Sequence, residues 1–392
     1  MTVKDLRILF VHSGADLYGA SRSLLRLSSR LVLDGAVVKV VLPYHGPLVS
    51  ALTDKGVDVV IHRNLPVIER QRVKNITGIL RLLLGLLTSF VDLLKLTREF
   101  RPNLIHTMTA VILAPGLVAK MMSIPHIWHV RESFGEFGSL WRYYQKYMLW
   151  LSTKIICVST PISEQFDLGK GSKKIIVIHN GFPLSEFSKV DKSDVEKFRS
   201  TYLVSGVEHL VAVVGRIKFQ RKGQEFFVQA AKLLKDKFPS ARFLCIGSPF
   251  PGNESHLTNL LDLIQELGLN DYVLYTGEAE NIKTAIAGLD ILVLASARPE
   301  PFAGVVVEAM ALSRPVVATA IGGSLEQVED GVTGYLVQPA DPKSMAAAIE
   351  KLLASAKLRQ SFGENGCARF LQYFEFEPFY QKILEVYGQV VV

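Results

Sequence analysis

The stretch Asp290-Ile-Leu-Val-Leu-Ala295-Ser-Ala-Arg298-Pro-Glu300-Pro-Phe302-Ala303-Gly304-Val305-Val-Val-Glu308-Ala-Met310 reads as a buried strand, a loop and a helix in direct succession. Pro299 and Pro301 stop the strand, and Gly304 loosens the backbone where a helix predicted through Val305 to Leu312 begins. The first amides of such a helix have no partner within it, and with the helix dipole they form a seat for an anion such as a diphosphate. Glu300 lies before that seat and Glu308 about one turn inside it. Carboxylates accept from hydroxyls and repel phosphate oxygens, so the pair fits a ligand carrying both groups, as a nucleotide sugar does. Taken alone, the same residues also read as an ordinary helix start with a solvated glutamate.

Working outward, Val211-Ala-Val-Val-Gly215-Arg216 is an apolar strand ending in Gly-Arg, and Lys222-Gly223 follows a polar loop. A cation at the carboxyl end of a strand is well placed to hold a phosphate, Arg by a bidentate fork and Lys as a point charge. Either alone is equally a surface charge.

In order and spacing, these pieces resemble the retaining glycosyltransferases of family four, with their Glu-x7-Glu motif and two-domain GT-B fold. The resemblance runs from Gly14 to Gly19, through Ile178-His-Asn-Gly181, to Gly215-Arg216 with Lys222-Gly223 and on to Glu300 and Glu308. It continues through Ser313-Arg-Pro-Val-Val-Ala-Thr319, Gly322-Gly323 and Asp330-Gly-Val-Thr-Gly334. It implies that Arg216 and Lys222 stabilise a departing diphosphate and that amides of Phe302, Ala303, Gly304, Val305 and Val306 meet sugar and phosphate oxygens. Glu300 would hold a sugar hydroxyl and Glu308 the ribose.

Apolar strands alternate with amphipathic helical stretches along the whole chain, which predicts an α/β protein of two doubly wound Rossmann-like domains facing across a cleft. The first sheet would use Leu6–Val11, Val37–Leu42, Val57–Ile61, Asn103–His106, His126–Val130, Lys154–Val158 and Lys174–Ile178. The second would use His209–Val214, Arg242–Ile246, Tyr272–Tyr275, Ile291–Ala295, Pro315–Ala318 and Gly334–Val337. The expected boundaries are an acceptor domain at 1–185, a linker at 186–205, a donor domain at 206–375, and a last helix at 376–392 packing back on the first domain.

The first βα turn, His12-Ser-Gly14-Ala-Asp-Leu-Tyr-Gly19-Ala20-Ser21, spaces its glycines five apart and misses the dinucleotide fingerprint. A dehydrogenase is therefore disfavoured. The resemblance makes Gly19 and Ala20 part of a loop bordering acceptor and diphosphate. The segment Pro125-His-Ile-Trp-His129-Val-Arg131-Glu132 departs from the family, many of whose members carry a His-Asp pair after this strand. Alignment on Pro125 puts Arg131 and Glu132 there, with His129 as second choice. His126 and His129 also read as buried strand residues.

At 392 residues and 49% hydrophobic, the chain can fill two cores. Cys157, Cys245 and Cys367 are far apart, which suits reduced thiols in a cytoplasmic setting, and charges interrupt the first apolar run, which reads as a strand and not a signal peptide. Neither a metal-ligand spacing nor an Asp-x-Asp motif appears, so no metal or cofactor is expected. Residues 1–190 hold 24 Lys and Arg against 13 Asp and Glu, a net +11, which leaves −4 for the remainder. Such a half can face anionic lipid, a phosphorylated acceptor or nucleic acid, or can simply be a soluble surface.

The most apolar stretch, Ile79 to Leu96, is interrupted by Arg81, Asp92 and Lys95, which leave fewer than 18 uninterrupted apolar residues, so it does not read as a transmembrane helix. It reads either as a helix lying in a membrane surface, helped by Arg70, Arg72, Lys74, Arg98 and Arg101, or as a helix packed on the first sheet. Trp141 to Trp150 is a second aromatic and basic stretch. The expected partners are a nucleoside-diphosphate sugar, with UDP-glucose the first guess, and a lipid-linked saccharide at the inner face of the cell membrane; nucleic acid is not among them. A nucleotide-sugar epimerase or phosphorylase, or a non-catalytic membrane-surface binder, are the alternatives.

Overall fold

A computed structural model describes residues 3–63, 65–67, 76–135, 138–169, 172–204 and 206–391. Two compact units emerge, Met1–Gly181 with Glu377–Val392, and Phe182–Phe376. The stretch expected to be a linker, 186–205, instead belongs to the second unit. Its helix Lys192–Tyr202 is capped by Asp191, whose carboxylate accepts from the Ser193 amide at 2.7 Å. Arg199 Nη1 then donates to the Gly288 carbonyl at 2.6 Å and to Asp290 at 3.1 Å. Composition suggested a connector, but Val195, Phe198 and Tyr202 lie at helical spacing along one face, which gives the segment something to bury.

In the first unit, strands β1 (Arg7–Val11), β2 (Val37–Leu42), β3 (Asp58–Ile61), β4 (Leu104–Thr107), β5 (His126–Val130), β6 (Lys154–Cys157) and β7 (Ile175–Val177) form one parallel sheet in the order β3-β2-β1-β4-β5-β6-β7. Helices α1 (Gly19–Leu33) and α2 (Pro47–Thr53) pack together, as α3 (Ile76–Phe100), α4 (Ala114–Met121) and α5 (Ser139–Leu151) do in a separate row. Covering helices on both faces explains why strands such as β4 and β5 are buried at every residue, His106, His126 and His129 included. Of the two readings of Ile79 to Leu96, sheet packing holds for one side of α3, where Leu86, Phe90, Leu93 and Leu94 join a core with Leu9, Val41 and Ile105. Arg70, Arg72 and Lys74 lie outside the described residues.

The second unit's strands, β8 (His209–Val214), β9 (Ala241–Ile246), β10 (Val273–Gly277), β11 (Ile291–Leu294), β12 (Val316–Thr319) and β13 (Gly334–Val337), order as β10-β9-β8-β11-β12-β13, all parallel. Alternation along β8 sends Val211 and Val213 into one core and Leu210 and Ala212 into the other. Each sheet reverses its winding at one place, between β1 and β4 and between β8 and β11. In open α/β sheets the crevice at that reversal, beyond the carboxyl ends of the strands, is where ligands bind.

Candidate functional site

At the reversal in the second unit, β8 runs out through Gly215 into Arg216, and β11 runs out through Ala295 into Ser296. A single π-helical turn, Phe219–Gly223, connects to the next helix and carries Arg221 and Lys222. Gly223 adopts φ +73°, and a Cβ there would lie 1.8 Å from the Ala295 carbonyl oxygen. The turn is thus pressed onto the β11 exit, and the Ala297 amide donates to the Arg221 carbonyl at 3.1 Å. That crossing brings Lys222 to Glu300: Lys222 Nζ donates to Glu300 Oε2 at 2.6 Å, while the Ser296 hydroxyl donates to Oε1. Gly322 (φ +65°) and Gly323 pack on the backbone of the Glu300 loop, and the Gly323 amide donates to the Glu300 carbonyl at 2.8 Å. Backbone crossings on both sides therefore hold the carboxylate in place.

Arg216 stacks over Phe250, its Cζ 5.1 Å from the ring centroid, and its carbonyl accepts from Gln224 at 3.1 Å. Lys218, which the sequence analysis passed over, belongs to the same cluster. Burial first, and then the neighbouring Arg221, Arg216 and Lys222, lower its pKa below the ordinary lysine value, with Glu300 opposing. Four cations in seven residues, 216–222, were the available signal. Among the described residues no group of three His, Cys, Asp or Glu is placed to hold a metal ion.

The helix expected after Pro301 runs from Gly304 to Ala311. One of its proposed anion donors is already engaged: the Ala303 amide donates to Gln327 Oε1 at 3.3 Å, and Gln327 Nε2 returns a bond to the Ala303 carbonyl at 2.8 Å. Ala303 is therefore removed from the ligand-binding set, because Gln327, wholly buried beneath the loop, has taken its backbone. Gly304 and Val305 are half-buried at the helix start, and Phe302 packs edge-on against Phe374 at 5.8 Å. Glu308 is 9% exposed, so it is a buried carboxylate and not the solvated residue its helix position also allowed.

In the first unit, α1 opens at Gly19, which is exposed and where an added Cβ would meet nothing within 4 Å, and neighbouring Ala20 is half-buried. The Tyr18 amide and the Ser21 hydroxyl donate to Asp16 Oδ1 at 3.0 Å, and buried His12 contacts Ser21 at 3.1 Å. After β5, Arg131 Nη1 donates to Asn180 at 2.6 Å and Nη2 to Ser23 at 2.8 Å. Burial lowers its pKa to about 10, with Glu132 opposing and Arg26 adding to the fall.

Two candidates here prove to serve the protein itself. The Glu132 carboxylate accepts from the Thr109 hydroxyl, from the Ala110 amide at 3.0 Å and from the Arg131 amide at 2.9 Å. It pins the loop after β4, and burial raises its pKa. His129 is fully buried, stacked on His106 at 5.5 Å, and offers no surface to a ligand. Its Nε2 lies 3.3 Å from Arg131 Nη2, and because a guanidinium only donates, that nitrogen accepts and the ring is neutral. Burial and the Arg131 charge agree, holding its pKa well below 6.5. β5 is buried at every residue, so His129 is sealed from ligand, whereas Arg131 stands beyond the strand end and stays half-buried.

Two family models match in tandem: Glycosyltransferase Family 4 over residues 18–186 and Glycosyl transferases group 1 over residues 194–369. An uncharacterised glycosyltransferase of Methanocaldococcus jannaschii is 30% identical over 279 residues, 70% of this chain and 71% of that protein. The chain belongs to this glycosyltransferase family. The capsular polysaccharide biosynthesis glycosyltransferase CapM of Staphylococcus aureus is 26% identical over 62% of the chain and 63% of its own length. Several curated relatives are matched over only about three-fifths of their length. The crystal structure of Anabaena HepE in complex with UDP-glucose shares the fold, with a TM-score of 0.83 at 24% identity over 98% of this chain and all of that one. The two parallel sheets are the paired domains of the family's GT-B architecture.

The Gly223 crossing gives a direct test of how Lys222 is positioned. Gly223→Ala should destabilise the protein by about 2–4 kcal/mol, from the left-handed backbone and the overlap with Ala295. Gly252→Ala, also at positive φ (+85°) but with open space around it, should cost about 1 kcal/mol. Urea midpoints shifted equally by the two substitutions would show that the crossing is not tight.

Proposed function

We propose that the protein transfers a hexose from a nucleoside-diphosphate sugar to an acceptor hydroxyl, with retention at the anomeric carbon and without a metal ion. UDP-glucose is the first candidate donor. The observation that carries this reading is the Lys222–Glu300 pair beside Arg216 and Lys218, at the winding reversal of the second sheet. As the sugar–phosphate bond breaks, negative charge develops on the departing diphosphate. Preorganised cations and helix-start amides stabilise that charge without reorganising. Arg216 grips phosphate oxygens bidentately, Lys222 and Lys218 add point charges, and the amides of Gly304 and Val305 contribute the helix dipole. Glu300, held by Lys222 and Ser296, accepts from a sugar hydroxyl, and Glu308 accepts from the ribose.

The donor guess draws on the fold shared with HepE, which was crystallised with UDP-glucose. The expected acceptor is a lipid-linked saccharide in cell-surface polysaccharide assembly, in keeping with the role named for CapM. A thermal-shift screen over nucleotide sugars should show stabilisation by one nucleoside diphosphate and its sugar above the rest, and acceptor-dependent release of that diphosphate should continue in excess chelator. Transfer abolished by chelator and restored by magnesium or manganese would overturn the metal-free assignment. A screen with no stabilising nucleotide would overturn the donor site.

A further inference from the structure

The first unit carries an apolar surface that includes none of the residues assigned to the donor. α3 contacts α4 and α4 contacts α5, so the three helices form a row. The side of α3 away from its core is apolar: Leu84, Leu87 and Val91 are 63%, 64% and 62% exposed. Steps of three and four residues align them in one stripe. α5 repeats the arrangement with Leu140, Tyr143 and Trp150, at 56%, 72% and 61% exposure. A helix flanking a sheet ordinarily turns polar residues outward, so two neighbouring apolar stripes mark a surface with a purpose.

Cations frame both stripes. Lys95 and Arg98 on α3, Lys120 on α4, and Arg142 and Lys146 on α5 are all exposed. The exposed carboxylates of α3 are Asp92, 3.4 Å from His62, and Glu99. Leu, Tyr and Trp bordered by Lys and Arg is the pattern of helices lying in a bilayer interface, where aromatic rings sit at headgroup depth and cations meet lipid phosphates. A second copy docking here would set the same cations against one another, which charge repulsion opposes. Among the described residues no helix is long and apolar enough to cross a membrane, so the geometry suits attachment in the plane.

We propose that the α3–α4–α5 face seats the protein on an anionic phospholipid surface, with Leu84, Leu87, Val91, Tyr143 and Trp150 entering the headgroup boundary and the flanking cations contacting lipid phosphate. The face is built from the first unit alone and the donor residues belong to the second, so this holds whichever sugar is transferred.

The test is sedimentation of the full chain with vesicles of phosphatidylcholine alone or mixed with phosphatidylglycerol, at low and high salt. Binding is expected to the mixed vesicles and to weaken as salt screens the charges. Replacing Arg142→Gln and Lys146→Gln together should weaken it by about 25-fold, roughly fivefold per charge removed. Leu87→Glu with Val91→Glu should abolish it while leaving the thermal midpoint unchanged, since both side chains are already exposed. Equal recovery with both vesicle types at both salts would overturn the proposal. So would unimpaired binding by the Leu87→Glu, Val91→Glu protein, or a dimer in sedimentation velocity that this substitution dissolves in the absence of vesicle binding.

Discussion

Arg216→Ala and Lys222→Ala are each expected to lower kcat by about 100-fold or more with the fold intact. Loss of one preorganised contact to developing negative charge costs on the order of 3–4 kcal/mol in the transition state. Both residues follow the β8 exit, at the winding reversal where a diphosphate is expected to bind. Neither is part of the core, so unfolding midpoints should stay near the parent value. Lys222→Ala also strips Glu300 of its ion pair while leaving the Ser296 bond, so the carboxylate proposed to hold the sugar loses its fixed position and donor affinity should fall along with turnover. Parent-like turnover in both folded variants would remove these residues from the catalytic assignment.

The second large effect is acid lability of the first unit. His12, His106, His126 and His129 are all buried in that unit. Burial lowers His12 from 6.5 to about 4, aided by the Arg131 charge and opposed by Asp16, and lowers His126 to about 3. His106 and His129 lie well below 6.5 for the same reason, with Arg131 adding to the fall. Above pH 6.5 folded and unfolded chains are both neutral at these rings and contribute nothing to a pH dependence. As pH falls below 6.5 the unfolded chain takes up protons that the folded chain refuses, so stability is lost progressively, down to about pH 4 for His12 and about pH 3 for His126. The slope is at most about 1.4 kcal/mol per pH unit for each ring. Glu132, its pKa raised by burial, opposes the trend with the contrary sign.

All three tryptophans, Trp128, Trp141 and Trp150, lie in the first unit, so intrinsic fluorescence follows it selectively. Urea midpoints read this way should drop steeply from pH 7 to pH 5. A flat profile over that interval would mean that the rings titrate normally and are not sealed from water.

Much of the architecture was legible in the sequence because it is encoded over short distances. Runs such as Val211 to Val214 are apolar on both faces, and only a strand covered on two sides tolerates that. Pro299, Pro301 and Gly304 mark a strand end and a helix start within a few bonds. Arg216, Lys222 and Glu300 could be named as candidates because each follows a strand end, whereas Glu308, inside the helix Gly304–Ala311, was named by its spacing from Glu300. Lys218 was equally available in the cluster of cations and was missed for want of a motif.

What only the tertiary structure decided were the partners. Glu300 meets Lys222 across 78 positions because Gly223 lets one backbone lie on Ala295 and Gly322 lets another lie on Glu300. The Ala303 amide is lost to Gln327, Glu132 turns to the loop after β4, and His129 sits beneath Arg131. The stretch 186–205, polar by composition, folds onto the second unit through Arg199, and Glu377–Val392 joins the first through Arg30–Glu377 and Tyr380–Asp34. Periodicity and chain-breaking residues act within a turn or a strand, so the sequence determined the strands, the helices and the positions where chemistry could sit. Which donor meets which acceptor depends on backbone crossings between distant segments, and no local pattern records these.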